Sequence, residues 1–455
     1  MPSAWKRTIF LLCLLGAMLG VSPRAAVAAV AFDSLLFTDN MILQQGVPVP
    51  IWGTAAPEEL VVVEFAGQLK GTISDLDGRW TIELDPLAAA GPSQLRALSI
   101  GTIIVLEDVQ VGEVWVCGGQ SNMALSTRNP GQLAGYPHVR ALVDSGWSDG
   151  PGEVCWLFGV ELAQELGVAV GLINNASPGS KIRNWLGPSV LTDPDPAVAP
   201  IVADYDDWGR LYDQRVAPLQ PYPVRGVAWW QGESDRREAE EHAHILPAMI
   251  RSWRQGWGIG EIPFVIVHVP TGGGLPWGNR LRRLPRSANR SHRRATMRQA
   301  FIETLAVPAT SLALSGDLRG GTHPPASERP LYAHRLVKAA MADVYGEDIP
   351  ASGPVFDSVS RDGDALRVRF RGKTATGLKP TPAATVRGFA VTANGEDWVW
   401  ADADVIGEEV LVWSDEVPQP IAVRYGWGKR YTFANLFNGE DHAAAPFQAP
   451  VVPGP

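Results

Sequence analysis

Cysteine is scarce in this chain of 455 residues: there are three, one of them inside the first 28 positions. Cys117 and Cys155 are the two that follow, with no histidine at ligand spacing beside either, so a zinc site is not encoded. Each sits in an apolar stretch, and both a disulfide and two buried thiols fit that setting. No metal ligand set and no cofactor-binding motif is read from the chain. Positive charge is also in deficit: 39 Lys and Arg against 48 Asp and Glu leave a formal charge of −9, which disfavours nucleic acid as a partner. Charged residues make up only 19% and apolar ones 45%, which excludes a disordered chain. Long apolar runs are missing beyond the first residues, where Lys6 and Arg7 precede the stretch Ile9 to Leu19 and Ala26-Val27-Ala28 follows it. That pattern is too short to span a bilayer and reads as a secretory leader cleaved near Ala28. The expectation is an exported protein, periplasmic or extracellular, that keeps no membrane anchor after cleavage. Oligomeric state is not encoded in anything the sequence shows.

What is abundant is tryptophan, seventeen against eight tyrosines. Tryptophan serves as a platform for sugar rings and equally as a large core residue, and most of the seventeen are assigned to the core.

The pattern along the chain divides it. Residues 29–110 carry only β signals: Val61 to Phe65 is one strand, Asp77-Gly78 a hairpin turn, and Arg79 to Leu84 alternates with Trp80, Ile82 and Leu84 on one face. A small β-sandwich-like domain is expected there. Residues 111–350 alternate strand and helix. Strands are expected at Val111–Cys117, Val168–Ile173, Val224–Trp230 and Phe264–Val269, and helices at Gly152–Gly167, Arg298–Leu305 and Leu331–Tyr345. Apolar runs of this kind are strands covered on both faces, so the fold class is α/β: a parallel sheet with helices on both sides, ligands at the carboxyl ends of its strands. Residues 351–455 return to β, with Leu366, Val368 and Phe370 alternating and Val410 to Trp413 a further strand.

Candidate chemistry sits where those strands end. Gly119-Gln120-Ser121-Asn122 follows the first of them, and a glycine at such a turn permits close approach to an exposed serine. Asn174-Asn175-Ala176-Ser177-Pro178-Gly179-Ser180 follows the second, where Gly179 can lend a backbone N–H. Trp229-Trp230-Gln231-Gly232-Glu233-Ser234-Asp235 follows the third; Gln231 can present its amide to a developing negative charge and Glu233 can orient its neighbours. All three stretches are also made of ordinary turn and capping residues. Of eight histidines, His242, His244, His268, His334 and His442 lie on helices, a strand or the tail. His323 stands apart, in a loop between Gly320-Gly321 and Pro324-Pro325. Eight arginines fall between Arg280 and Arg298, after Thr271-Gly272-Gly273-Gly274, with no carboxylate from Thr271 to Ile302. An anion-binding loop and a solvated insertion both fit, and charge runs are usually solvated.

Taken together, these pieces resemble the sialate O-acetylesterase family of the SGNH (GDSL-like) hydrolases, over nearly all of the chain beyond the leader. The resemblance is carried by Leu36 to Gln44, by Val111 to Met123, by Leu211-Tyr212-Asp213, by Val216-Ala217-Pro218-Leu219, by Gly226 to Asp235 and by His323-Pro324. Val423 to Trp427 and Asn435 to Asn438 resemble its closing strands. It implies a flavodoxin-like parallel sheet flanked by small antiparallel β domains, and a serine esterase that removes acetyl groups from sugars. It further implies Ser121 as nucleophile and His323 as general base. The Ser121 and Gly179 backbone N–H groups with the Gln231 amide would form the oxyanion hole, with Glu233 and Asn122 behind them. The family's orienting aspartate, two or three residues before the histidine, is replaced here by Gly320 or Gly321. The nearest carboxylate, Asp317, is the candidate third member. An acetylated sugar is the expected partner. Acetylated xylan or another plant polysaccharide would suit the same machinery, and a glycan-binding protein with a weakened triad is the reading from another class. Arg183 and the arginine-rich segment are candidates to meet a sialate carboxylate.

Overall fold

In the computed structural model, the described residues are 29–32, 34–126, 136–143, 146–148, 152–192, 195–204, 206–269, 283–289, 291–318 and 323–451. The expected leader, the Thr271–Gly274 run, part of the arginine-rich segment and the Gly320-Gly321-Thr322 turn lie outside them.

One long strand organises the molecule. Strand β1 (Ile42–Gln44) lies parallel to the middle of β2 (Thr102–Gly119), an 18-residue strand. The first half of β2 pairs antiparallel with Ala90–Ser99, which in turn pairs with Leu60–Phe65. Its second half is the centre of the mainly parallel sheet. There it is joined by β3 (Val139–Val143), β4 (Gly146–Ser148), β5 (Ala169–Ala176), β6 (Gly226–Trp230), β7 (Phe264–Val267) and β8 (Thr310–Ala313), in the order β4-β3-β5-β2-β6-β7-β8. Only β4 runs antiparallel to its neighbour in this part. The boundary expected at 110/111 falls inside β2, whose hydrogen-bonded backbone continues through it. Residues 31–32, 49–54 and 79–84 form a separate three-stranded sheet.

The uninterrupted apolar run of β2 is explained by its two covered faces. Trp115 and Cys117 point to one core, with α2 (Glu153–Leu166) and α5 (Arg329–Asp343). Val114 and Val116 point to the other, with α3 (Ala239–Trp257) and α4 (Arg293–Thr304). A disulfide joins Cys117 at the end of β2 to Cys155 in the first turn of α2, which settles the pairing left open by the sequence. Ten of the seventeen tryptophans are buried, so most serve packing and few remain for sugar contact. Trp229 meets Trp185 and Trp253 edge-on at centroid distances of 5.5 and 5.6 Å, contacts worth roughly 0.5–1.5 kcal/mol each beyond area burial.

After α5 the chain forms two four-stranded antiparallel sheets with their own core. The first holds Phe356–Asp362, Ala365–Phe370, Glu409–Trp413 and Asp402–Ile406, and the second Trp398–Trp400, Phe389–Thr392, Ala422–Tyr425 and Phe447–Pro450. Among the described residues no helix is long and apolar enough to cross a membrane.

Candidate active site

Three adjacent parallel strands end level with one another. Gly119 of β2 is in register with Ala176 of β5 and with Trp230 of β6, so the segments that follow them emerge at one edge. Hydrogen bonds lock the tips together: the Gln120 N–H donates to the Trp230 carbonyl at 2.9 Å, and Gly119 O accepts from the Ser177 N–H at 2.9 Å. Gly119 O also accepts from Ser180 Oγ, at 3.3 Å. Gly119 has φ +118°, and a β-carbon there would lie 2.1 Å from the Trp230 carbonyl oxygen. No other residue fits that turn.

Ser121 opens the four-residue helix α1 (Ser121–Ala124) and is half-buried. As the first residue of a helix, it has a backbone N–H with no partner inside that helix. Gly179 has φ +73°, and a β-carbon on it would meet nothing within 4 Å, so its glycine serves backbone conformation at an open position. Gln231 is fully buried; its Nε2 donates to Ser180 O at 3.3 Å and to the Asp235 carboxylate.

His323 arrives from beyond β8. Its Nδ1 lies 2.9 Å from Asn122 Oδ1, which brings the imidazole to the residue next to Ser121 across 201 positions of sequence. Asn122 Nδ2 donates to Glu233 Oε1 at 2.8 Å, and Trp230 Nε1 donates to the same oxygen at 3.0 Å. The other Glu233 oxygen accepts from Gln120 Nε2, whose own amide oxygen accepts from Ser234 Oγ at 2.7 Å. Burial pushes the Glu233 pKa up, opposed by the bonds from Trp230 and Asn122 and by the charge of Arg236. Trp230 stacks on Tyr332 of α5 with centroids 4.5 Å apart.

Asp317 is placed elsewhere than the sequence suggested. Arg335 of α5 grips both its oxygens, at 2.6 and 3.3 Å, and the same guanidinium donates to the Leu314 carbonyl. A carboxylate held by an arginine fork is committed to anchoring its loop, and the position beside His323 Nδ1 belongs to Asn122. Arg183 is likewise engaged: its Nε lies 2.5 Å from Asp207 Oδ1, and that bond holds the Asp207 pKa down. Of the candidate cations for a sialate carboxylate, it is therefore already neutralised.

Sequence reasoning missed Asp235 as a structural centre. Its carboxylate accepts from the Ile182 N–H at 3.1 Å as well as from Gln231, and burial raises its pKa to about 6. It thus braces the loop of Gly179 against the loop of Gln231. The only hint in the sequence was its place after a buried strand. A groove of about 580 Å³ opens at the end of β5, lined by Leu36, Val143, Asn175, Ala176 and Arg215 among others. Among the described residues no group of three or more His, Cys, Asp or Glu is arranged to hold a metal ion.

Comparison with known proteins agrees with this architecture. Residues 147–341 match the family model for carbohydrate esterases described as sialic acid-specific acetylesterase. Human sialate O-acetylesterase is 26% identical over 401 residues, covering 74% of this chain and 75% of the human one. The mouse sialate O-acetylesterase is 24% identical over 424 residues, 72% of this chain and 76% of its own. A carbohydrate acetylesterase from Xanthomonas citri superposes with a TM-score of 0.78 at 30% identity, over 92% of this chain and 99% of that one. Sheet, site and relatives together define a carboxylic ester hydrolase. The chain belongs to the sialic acid-specific acetylesterase family of carbohydrate esterases.

Proposed function

We propose that this protein is an exported serine esterase that removes O-acetyl groups from carbohydrates through an acetyl-serine intermediate. The observation that carries the reading is the contact of His323 with Asn122, the residue beside Ser121, at the shared edge of β2, β5 and β6. The order β5-β2-β6-β7-β8 is the flavodoxin-like order of an SGNH-type sheet, with β3 and β4 added outside β5, and residues 29–110 and 351–455 are read as flanking β units around 111–350. Residues 1–28 are read as the export leader.

The chemistry follows from those positions. With Nδ1–H directed at Asn122, the Nε2 lone pair of His323 takes the proton of Ser121 Oγ as that oxygen bonds to the acetyl carbonyl carbon. The carbonyl π pair moves onto its oxygen, which the Ser121 and Gly179 N–H groups receive; the Gln231 amide joins them by exchanging its long bond to Ser180. Collapse breaks the bond to the sugar oxygen, which leaves with the proton from His323. Water then gives a proton to His323 and attacks the acetyl-serine; as the bond to Ser121 Oγ breaks, His323 returns that proton to it, releasing acetic acid and restoring Ser121.

The substrate of this reading is an acetylated sugar whose acetyl group reaches Ser121 at the shared edge of β2, β5 and β6. O-acetyl sialate is favoured by kinship. Acetate release from a panel of O-acetylated sialosides and acetylated xylan tests the assignment, with Ser121→Ala as the control. Release from sialosides by the wild type alone supports it. Release only from xylan moves the substrate to neutral glycans, and equal release by both proteins refutes a serine esterase.

A further inference from the structure

We propose that Asn122 and Glu233 together replace the orienting aspartate of the triad: the Asn122 amide oxygen holds the His323 imidazole, and Glu233 fixes which way that amide points. This rests on the serine-esterase reading above.

The argument is one of hydrogen-bond polarity. A carboxylate only accepts, and Glu233 faces three side-chain N–H donors, from Asn122, Trp230 and Gln120. The amide nitrogen of Asn122 must therefore face Glu233, and its oxygen must face His323. A carboxamide oxygen in turn accepts, so Nδ1 of His323 carries the proton and Nε2 presents its lone pair. The tautomer a general base requires is thus written in from Glu233, through one amide whose oxygen meets the ring. Asn122 is 2% exposed and Trp230 and Gln120 are buried, so water does not compete for the bonds to Glu233, while His323 itself is exposed. The charged and titratable groups facing Glu233 are Arg236 on its own loop and Tyr332 from α5. Asp317 is held by Arg335 instead.

An amide differs from a carboxylate in one respect that can be measured. It sets the tautomer but adds no full negative charge to stabilise the imidazolium that forms during attack. Asn122 and Glu233 are positioning residues, and their effect belongs in kcat.

The test is steady-state kinetics on 4-nitrophenyl acetate across pH, with thermal unfolding as the folding check. Asn122→Ala is expected to lower kcat about 10²-fold while KM stays within about threefold, less than the ~10⁴ lost when a charged orienting acid is removed. Asn122→Asp keeps the volume and puts a carboxylate against the ring; the acid limb of its kcat/KM profile is expected to move to higher pH. The loss in Asp317→Asn is expected to be at least about tenfold smaller than that in Asn122→Ala. Wild-type kcat in Asn122→Ala, an unmoved acid limb in a folded Asn122→Asp, or a larger loss in Asp317→Asn each overturns the proposal. Failure of the esterase reading is separate: Ser121→Ala would then match the wild type.

Discussion

Gly119 is the tightest position in the site. Its φ of +118° and the 2.1 Å approach of a β-carbon to the Trp230 carbonyl leave no space for alanine. Gly119→Ala is expected to cost more than about 3 kcal/mol, since left-handed strain and a backbone clash add. A fall in the urea midpoint of under a tenth would contradict this. Asp235 gives a prediction in pH. Its folded pKa of about 6 lies above the ordinary aspartate value of 3.8, because burial disfavours the charged form. The stability it contributes is therefore full below about pH 4 and is lost as pH rises through about 6. Asp235→Asn cannot ionise, so its unfolding temperature should gain on the wild type between pH 4 and pH 7; parallel curves would rule out the buried charge. At this scale the placement of Ser121, Gly179 and Gln231 after the ends of β2, β5 and β6 was legible, because each follows its own strand in a short motif. Asn122 as partner of His323 was not, because that bond spans 201 positions and depends on Glu233, 111 positions from Asn122. Asp317 is the nearest carboxylate before His323 along the chain, a measure that carries no information about Arg335 on the following helix.

Elements were legible wherever one core fixed their period. The helix expected from Gly152 to Gly167 is observed as Glu153–Leu166, and the strand expected at Arg79–Leu84 is observed with those bounds. Strand β2 was half hidden. Glu107-Asp108 interrupts the apolar pattern, yet Asp108 keeps its place at φ +54° inside the strand, where Arg140 of β3 meets its carboxylate at 2.8 Å. A charged bend held by an ion pair is invisible to a period-two pattern. The site end of β2 is held by the Cys117–Cys155 disulfide, which closes a loop of 38 residues. Cys155→Ala should cost about 2–4 kcal/mol, the range expected for closing such a loop in the unfolded chain. An unfolding midpoint unchanged in this variant would show that the covalent tie adds nothing.

At the scale of the whole molecule, the parallel sheet places the ends of β2, β5 and β6 on one edge, and the return of the chain past β8 adds the histidine. Glu233 and Asp235, two residues apart, divide the work of holding that edge. One reaches Asn122 and Gln120, the other Ile182 and Gln231. Everything proposed for the chemistry converges on the Ser121 hydroxyl. The most direct measurement is hydrolysis of 4-nitrophenyl acetate by the wild type and by Ser121→Ala, after both give the same unfolding profile. The account predicts release of 4-nitrophenol by the wild type and a loss of at least about 10³-fold in the variant. Equal rates in the two folded proteins would contradict it.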